Sequence, residues 1–186
     1  MDSMLHVEAL EKSYADFRLD NISFDLPEGY IMGLIGPNGS GKTTTIKAIL
    51  NMTEREGGKI TVFGKDNIAS EQEIKKDIGA VFDSSSFVDE WTMADVEKAY
   101  TLFYPAWDSE KYWSLLSRFR IGKTKKVKEL SKGMQMKLML ACAFSYDARL
   151  LILDEPTSGL DPVSRDELLD ILCEYIEDGR RSVLFS

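Results

Sequence analysis

The chain has 186 residues, a formal net charge of −8 and an apolar share of 44%, enough for one domain with a real core, or a core plus a small subdomain. That acidic balance argues against nucleic acid or anionic lipid as a partner held by bulk electrostatics. The longest apolar stretches, 138–144 and 150–153, are far short of a membrane span, and the opening residues do not read as a signal peptide.

In chain order, Leu5, Val7 and Ala9 alternate with His6 and Glu8, the pattern of a half-exposed strand. Ile22, Phe24 and Leu26 alternate in a second strand before the turn at Pro27, Glu28 and Gly29. These flanking strands are expected to form a small antiparallel layer. The apolar run 30–35 then suits a strand buried on both faces. Behind it, Gly36, Pro37, Asn38, Gly39, Ser40, Gly41, Lys42 and Thr43 fit the pattern G-x-x-x-x-G-K-[ST] at every fixed position. Ile46, Ile49 and Leu50 follow at helical spacing, so the loop opens a helix whose N-terminus favours anions.

The chemistry of that loop is direct. Glycines and small residues let successive backbone N–H groups turn inward as a nest for phosphate oxygens. Lys42 would add a point charge at the β- and γ-phosphates, the Thr43 hydroxyl would sit on Mg²⁺, and Thr44 continues the helix start. Strand, loop and helix together imply a nucleoside triphosphate.

Farther on, Gly57 and Gly58 turn the chain into a strand over 59–63, and 78–82 is the next buried strand. From 87 to 148 the pattern becomes helical. Thr92 with Asp95 reads as a capping box for a helix ending before Pro105. Asp108 can cap a second helix with Tyr112, Leu115, Leu116 and Phe119 on its apolar face. Lys123, Lys125, Lys126 and Lys128 form a basic run, more simply a solvated loop than a phosphate contact. Ser131 is a natural N-cap of a helix reaching about Tyr146, and Gly133 allows close backbone approach, so this helix start is a second anion site. The run 150–153 reads as a central parallel strand. Asp154 at its end stands where a P-loop protein places a second Mg²⁺ contact, and Glu155 could act as general base toward water. Asp161 and Pro162 start a helix with Leu168, Leu169, Leu172, Tyr175 and Ile176 toward the core, and 182–185 begins one more strand. Cys142 and Cys173, both at apolar helical positions, read as reduced, buried thiols.

Strands alternating with helices give the expected fold class, α/β: a P-loop fold with a mainly parallel sheet, an N-terminal antiparallel β layer and an inserted α-helical subdomain. The expected division is 1–86 for the first part of the core with its β layer, 87–130 for the helical subdomain, and 131–186 for the rest of the core.

In their order, these motifs resemble the ATP-binding subunit of an ABC transporter. GPNGSGKT at 36–43 matches Walker A, LSKGMQ at 130–135 resembles the signature motif, LLILDE at 150–155 matches Walker B, and Ser158, Gly159, Leu160 and Asp161 match the D-loop. The resemblance covers essentially the whole chain. It implies ATP and Mg²⁺ as ligands, catalytic roles for Glu155 and Lys42, and adenine stacking on Tyr14, with Phe17 a weaker candidate. It also implies a head-to-tail pair with a second copy or a homologous subunit, in which Ser131, Gly133 and Asp161 of one chain meet the nucleotide of the other. The further partner implied is an integral-membrane permease, with the chain cytoplasmic and peripheral on the inner face of the membrane, and no nucleic acid.

The departures carry information too. Lys132 replaces the usual first glycine of the signature and Met134 its glutamine, a variant similar to ATPases serving separate exporter-type permeases of bacteria. Asp83 stands where the family has its Q-loop glutamine and is expected to reach Mg²⁺ through water. The family's switch histidine should follow the strand ending at Phe185 and Ser186, whereas the only histidine is His6. The chain is therefore read as truncated at its C-terminal side, with weak hydrolysis as given. Two other readings compete. A soluble ABC-type module without a permease would carry tandem cassettes or coiled-coil insertions, and a P-loop kinase or GTPase would lack LSKGMQ.

Overall fold

The computed structural model describes residues 3–82 and 87–186. Among these, two four-stranded sheets carry the architecture. An antiparallel sheet has the order β2-β1-β4-β5, made of β1 (Ser3–Tyr14), β2 (Phe17–Pro27), β4 (Gly57–Val62) and β5 (Lys65–Asp66). A parallel sheet has the order β3-β8-β7-β6, made of β3 (Ile31–Gly33), β6 (Ile78–Val81), β7 (Leu150–Leu153) and β8 (Ser182–Phe185). The helices are α1 (Lys42–Ile49), α2 (Glu71–Ile74), α3 (Met93–Phe103), α4 (Ser109–Arg118), α5 (Lys132–Ser145) and α6 (Pro162–Ile176). This is the α/β arrangement that the pattern of elements implied, with α3, α4 and α5 between two strands of the parallel sheet.

β7 explains why the sheet holds two layers. All four of its residues are buried. Leu151 and Leu153 join the cluster built by α3 to α6, while Leu150 and Ile152 join the one built by α1 and the antiparallel sheet. Alternate side chains of one strand thus feed two cores. Each such side chain stabilises the fold by about 1.5–3 kcal/mol on burial.

Local caps follow the sequence closely. Thr92 Oγ1 accepts from Asp95 N and Asp95 Oδ2 accepts from Thr92 N, closing the capping box on α3. Asp108 Oδ1 accepts from Lys111 N at the start of α4, and Asp161 caps α6 with Pro162 at its first position.

Four expectations are corrected. In β1, Ala9 leaves the face shared by Leu5 and Val7, and Leu10 is buried instead. The register with β2 slips between Val7 and Leu10, with Ala9 at φ 48° and its N–H held by Ser23 Oγ, so a bulge breaks the alternation. The strand before the glycine loop is only half buried, because β3 pairs with β8 alone among the described residues; Ile35 is 99% exposed. On α6 the buried side chains are Leu168, Ile171, Leu172 and Tyr175, whereas Leu169 faces out. Cys142 is buried but Cys173 is exposed. Burial also pushes the Cys142 thiol well above its ordinary range.

Candidate functional site

The glycine loop sits between β3 and α1. Gly39 and Gly41 adopt φ 81° and 96°, a region costly for any residue with a Cβ. At Gly41 a side chain would also meet Leu19 at 2.4 Å and the Phe17 ring at 2.5 Å, so glycine is needed for close approach as well as for the turn. The amide nitrogens of Asn38, Gly39 and Gly41 donate to nothing among the described residues. Helix α1 has neither a side-chain cap nor an acidic residue in its first turn. The concavity therefore presents unengaged N–H groups and the positive end of a helix, as an anion requires. Lys42 Nζ lies across it, donating to Gly36 O at 2.9 Å and Pro37 O at 3.1 Å.

Opposite the loop, the carboxyl end of β7 supplies the acidic pair. Asp154 is 7% exposed, and its N–H donates to Val81 O at 2.9 Å. Its Oδ1 accepts from Thr43 Oγ1 at 3.0 Å, which joins the first and second motifs across 111 residues. Glu155 is exposed and adopts φ 51°. A hydroxyl beside a carboxylate fits Mg²⁺ of the phosphate-bound kind, which takes its remaining ligands from phosphate and water. No group of three or more His, Cys, Asp or Glu among the described residues forms a self-sufficient metal site.

One residue at this end escaped the motif reading. Ser186 Oγ donates to Asp154 Oδ1 at 2.9 Å and accepts from Glu155 N at 3.0 Å. The parallel register Leu153↔Phe185 brings it there. Only knowledge of that register could have found it.

The remaining candidates are placed as follows. The Tyr14 ring is half exposed, stacks on Phe17 at 6.4 Å and has its hydroxyl 3.5 Å from Thr53. Phe17 is the aromatic in contact with the loop backbone. Ser131 Oγ accepts from Met134 N at 3.3 Å, the expected cap of α5. Gly133 faces Leu160 and Ser164, and the Lys132 stem runs beside Gly159, so the start of α5 and the segment leading into α6 pack together within one chain. Asp161 takes both the backbone N–H and the hydroxyl of Ser164, and these bonds hold its carboxyl below the usual range. Asp83 lies outside the described residues.

Three of the four lysines in the basic run are engaged within the chain. Lys126 and Lys128 both pair with Glu90, and Lys123 covers the Trp113 ring. The Lys126 and Lys128 hydrogen bonds lower the Glu90 pKa from 4.5 to about 2. A folded-state pKa below the unfolded one stabilises above the unfolded value and loses that contribution as pH falls. Urea unfolding of the wild type and of Glu90→Gln is therefore expected to differ at pH 7 and to converge as pH falls from 4.5 toward 2. A gap that stays constant over this interval would refute the pairing.

The sequence matches the family described as ABC transporter over residues 19–158. The uncharacterized ABC transporter ATP-binding protein YdbJ of Bacillus subtilis (strain 168) is 34% identical over 190 residues, covering 100% of this chain and 61% of its own length. The lantibiotic transport ATP-binding protein SrtF of Streptococcus pyogenes is 32% identical, covering 98% of this chain and 80% of its own. A solved ATP-binding subunit of an ABC transporter superposes with a TM-score of 0.82 at 27% identity, over 99% of this chain and 79% of that one. The chain thus spans about three fifths of the length of YdbJ.

Proposed function

We propose, since the chain belongs to the ABC transporter family, that it binds and hydrolyses ATP to drive a substrate through a separate membrane permease. The observation that carries this reading is the 3.0 Å hydrogen bond from Thr43 to Asp154, which sets the phosphate loop against the acidic end of β7. The loop amides and Lys42 hold the phosphates, Lys42 exchanging its two carbonyl partners for phosphate oxygens. Thr43 and Asp154 would hold Mg²⁺, which would supply neutralisation of charge on the phosphates. Glu155 accepts a proton from the attacking water. Tyr14, stacked with Phe17 at the rim of the loop, offers its face to adenine.

The site is completed by a second copy or a homologous subunit, arranged head to tail, whose Ser131, Gly133 and Asp161 approach the phosphates from the other side. The helix α5 N-terminus, capped by a neutral serine, suits that role.

The permease contact falls on the exposed apolar side of α3. Phe87, Trp91, Ala99, Tyr100, Phe103 and Tyr104 line a cavity of about 330 Å³ there, and Leu102 and Phe103 are more than three quarters exposed. An apolar surface of this kind marks a protein partner. No helix among the described residues is long and apolar enough to cross a membrane. The protein would then work at the cytoplasmic face. Co-purification from detergent-solubilised membranes tests this: an integral-membrane protein should be retained on the tagged chain, and recovery of soluble partners only would refute the transporter reading.

A further inference from the structure

We propose that Ser186 is a positioning residue that sets the geometry of both acidic residues after β7, an inference that rests on the ATPase reading above. Three successive residues of that segment are bonded to it. The Ser186 N–H donates to Leu153 O at 3.1 Å, its hydroxyl donates to Asp154 Oδ1 at 2.9 Å, and the same oxygen accepts the Glu155 N–H at 3.0 Å. A hydroxyl has one proton and two lone pairs, so one small side chain satisfies a carboxylate and an amide at once.

Each contact bears on the chemistry. Asp154 Oδ1 accepts hydrogen bonds from both Thr43 and Ser186, while Oδ2 has no hydrogen-bonding partner among the described residues. The carboxylate is thereby turned so that one oxygen is anchored and the other is left toward the metal that Thr43 and Asp154 would hold. Glu155 has φ 51°, a left-handed conformation that a residue with a long side chain keeps only when its surroundings hold it. The bond from its amide to Ser186 Oγ is one such restraint, and a second is the bond from Ser158 N to its carbonyl at 3.0 Å. Neighbouring parallel strands ending in the same register make the arrangement possible: Leu153 pairs with Phe185, so Ser186 stands abreast of Asp154.

The test compares Ser186→Ala with Ser186→Thr, which keeps the hydroxyl. In nucleotide-free protein, hydrogen exchange at the Glu155 amide is expected to be about tenfold faster in Ser186→Ala and near wild type in Ser186→Thr, the fold-change of one lost hydrogen bond. With ATP and Mg²⁺, kcat should fall about tenfold in Ser186→Ala while the KM for ATP stays within threefold, and Ser186→Thr should recover most of the rate. A general loss of stability would not produce that split or that recovery. Should Ser186→Ala fail to fold, Ser186→Cys, a weak donor of similar size, takes its place. Unchanged exchange at Glu155, or an unchanged kcat, would overturn the assignment. The exchange arm needs no nucleotide, so a wild type that hydrolyses nothing would sink the ATPase reading while leaving faster exchange as support for the contact.

Discussion

Replacing Glu155 by glutamine is expected to lower ATP turnover by about 10²–10⁴-fold, the contribution typical of a well-placed general base. Glutamine keeps the length of the side chain and its hydrogen-bonding capacity but cannot take a proton from water. Binding should change little, because Lys42, the loop amides, Thr43 and Asp154 are untouched. ATP that binds and is not hydrolysed should hold two copies together, so the variant should run as a dimer with ATP and Mg²⁺ and as a monomer without them. Phosphate release and size-exclusion scattering on one preparation check both halves. Turnover within threefold of wild type would remove Glu155 from the catalytic role, and a variant that stays monomeric under saturating ATP would remove the composite site.

Removing the Lys42 ammonium should weaken ATP binding at least tenfold. It donates to Gly36 O and Pro37 O, neutral acceptors within its own loop. A phosphate oxygen in their place makes the bond charge-assisted, and such bonds stabilise by about 1.5–3 kcal/mol, which is about 10- to 150-fold in affinity. Lys42→Ala also takes two hydrogen bonds from the loop, so its thermal unfolding should be compared with wild type before affinities are read. Displacement of a fluorescent ATP analogue gives the affinity, and equal displacement curves for the two proteins would contradict the loop assignment.

What was legible in the sequence was what depends on near neighbours or on one strand's own pattern. The glycine loop, the caps at Thr92, Asp108, Ser131 and Asp161, and the four apolar residues of β7 each state their structure within a few positions. What was hidden depends on pairing between distant segments. The bulge at Ala9 arises because β1 must pair with β2 on one side and β4 on the other, and the register of both pairings slips near that point. The half-burial of β3 reflects its place in the strand order, which no local pattern encodes. On α6, Leu169 faces out and Ile171 is buried because the helix faces the core along Leu168, Ile171, Leu172 and Tyr175, and that rotation is set by packing. Within the site, the motifs located the loop and the acidic pair, but the Ser186 bridge needed the register of β7 against β8.

A calorimetric titration of ATP into the purified, folded protein, with Mg²⁺ present, decides whether the loop and the end of β7 form one nucleotide site. Saturable binding of one ATP per chain is expected, with GTP weaker and with the heat reduced to a shallow slope in Lys42→Ala at the same concentrations. A folded wild type that shows no saturable heat with ATP, or an isotherm that Lys42→Ala leaves unchanged, would contradict that site.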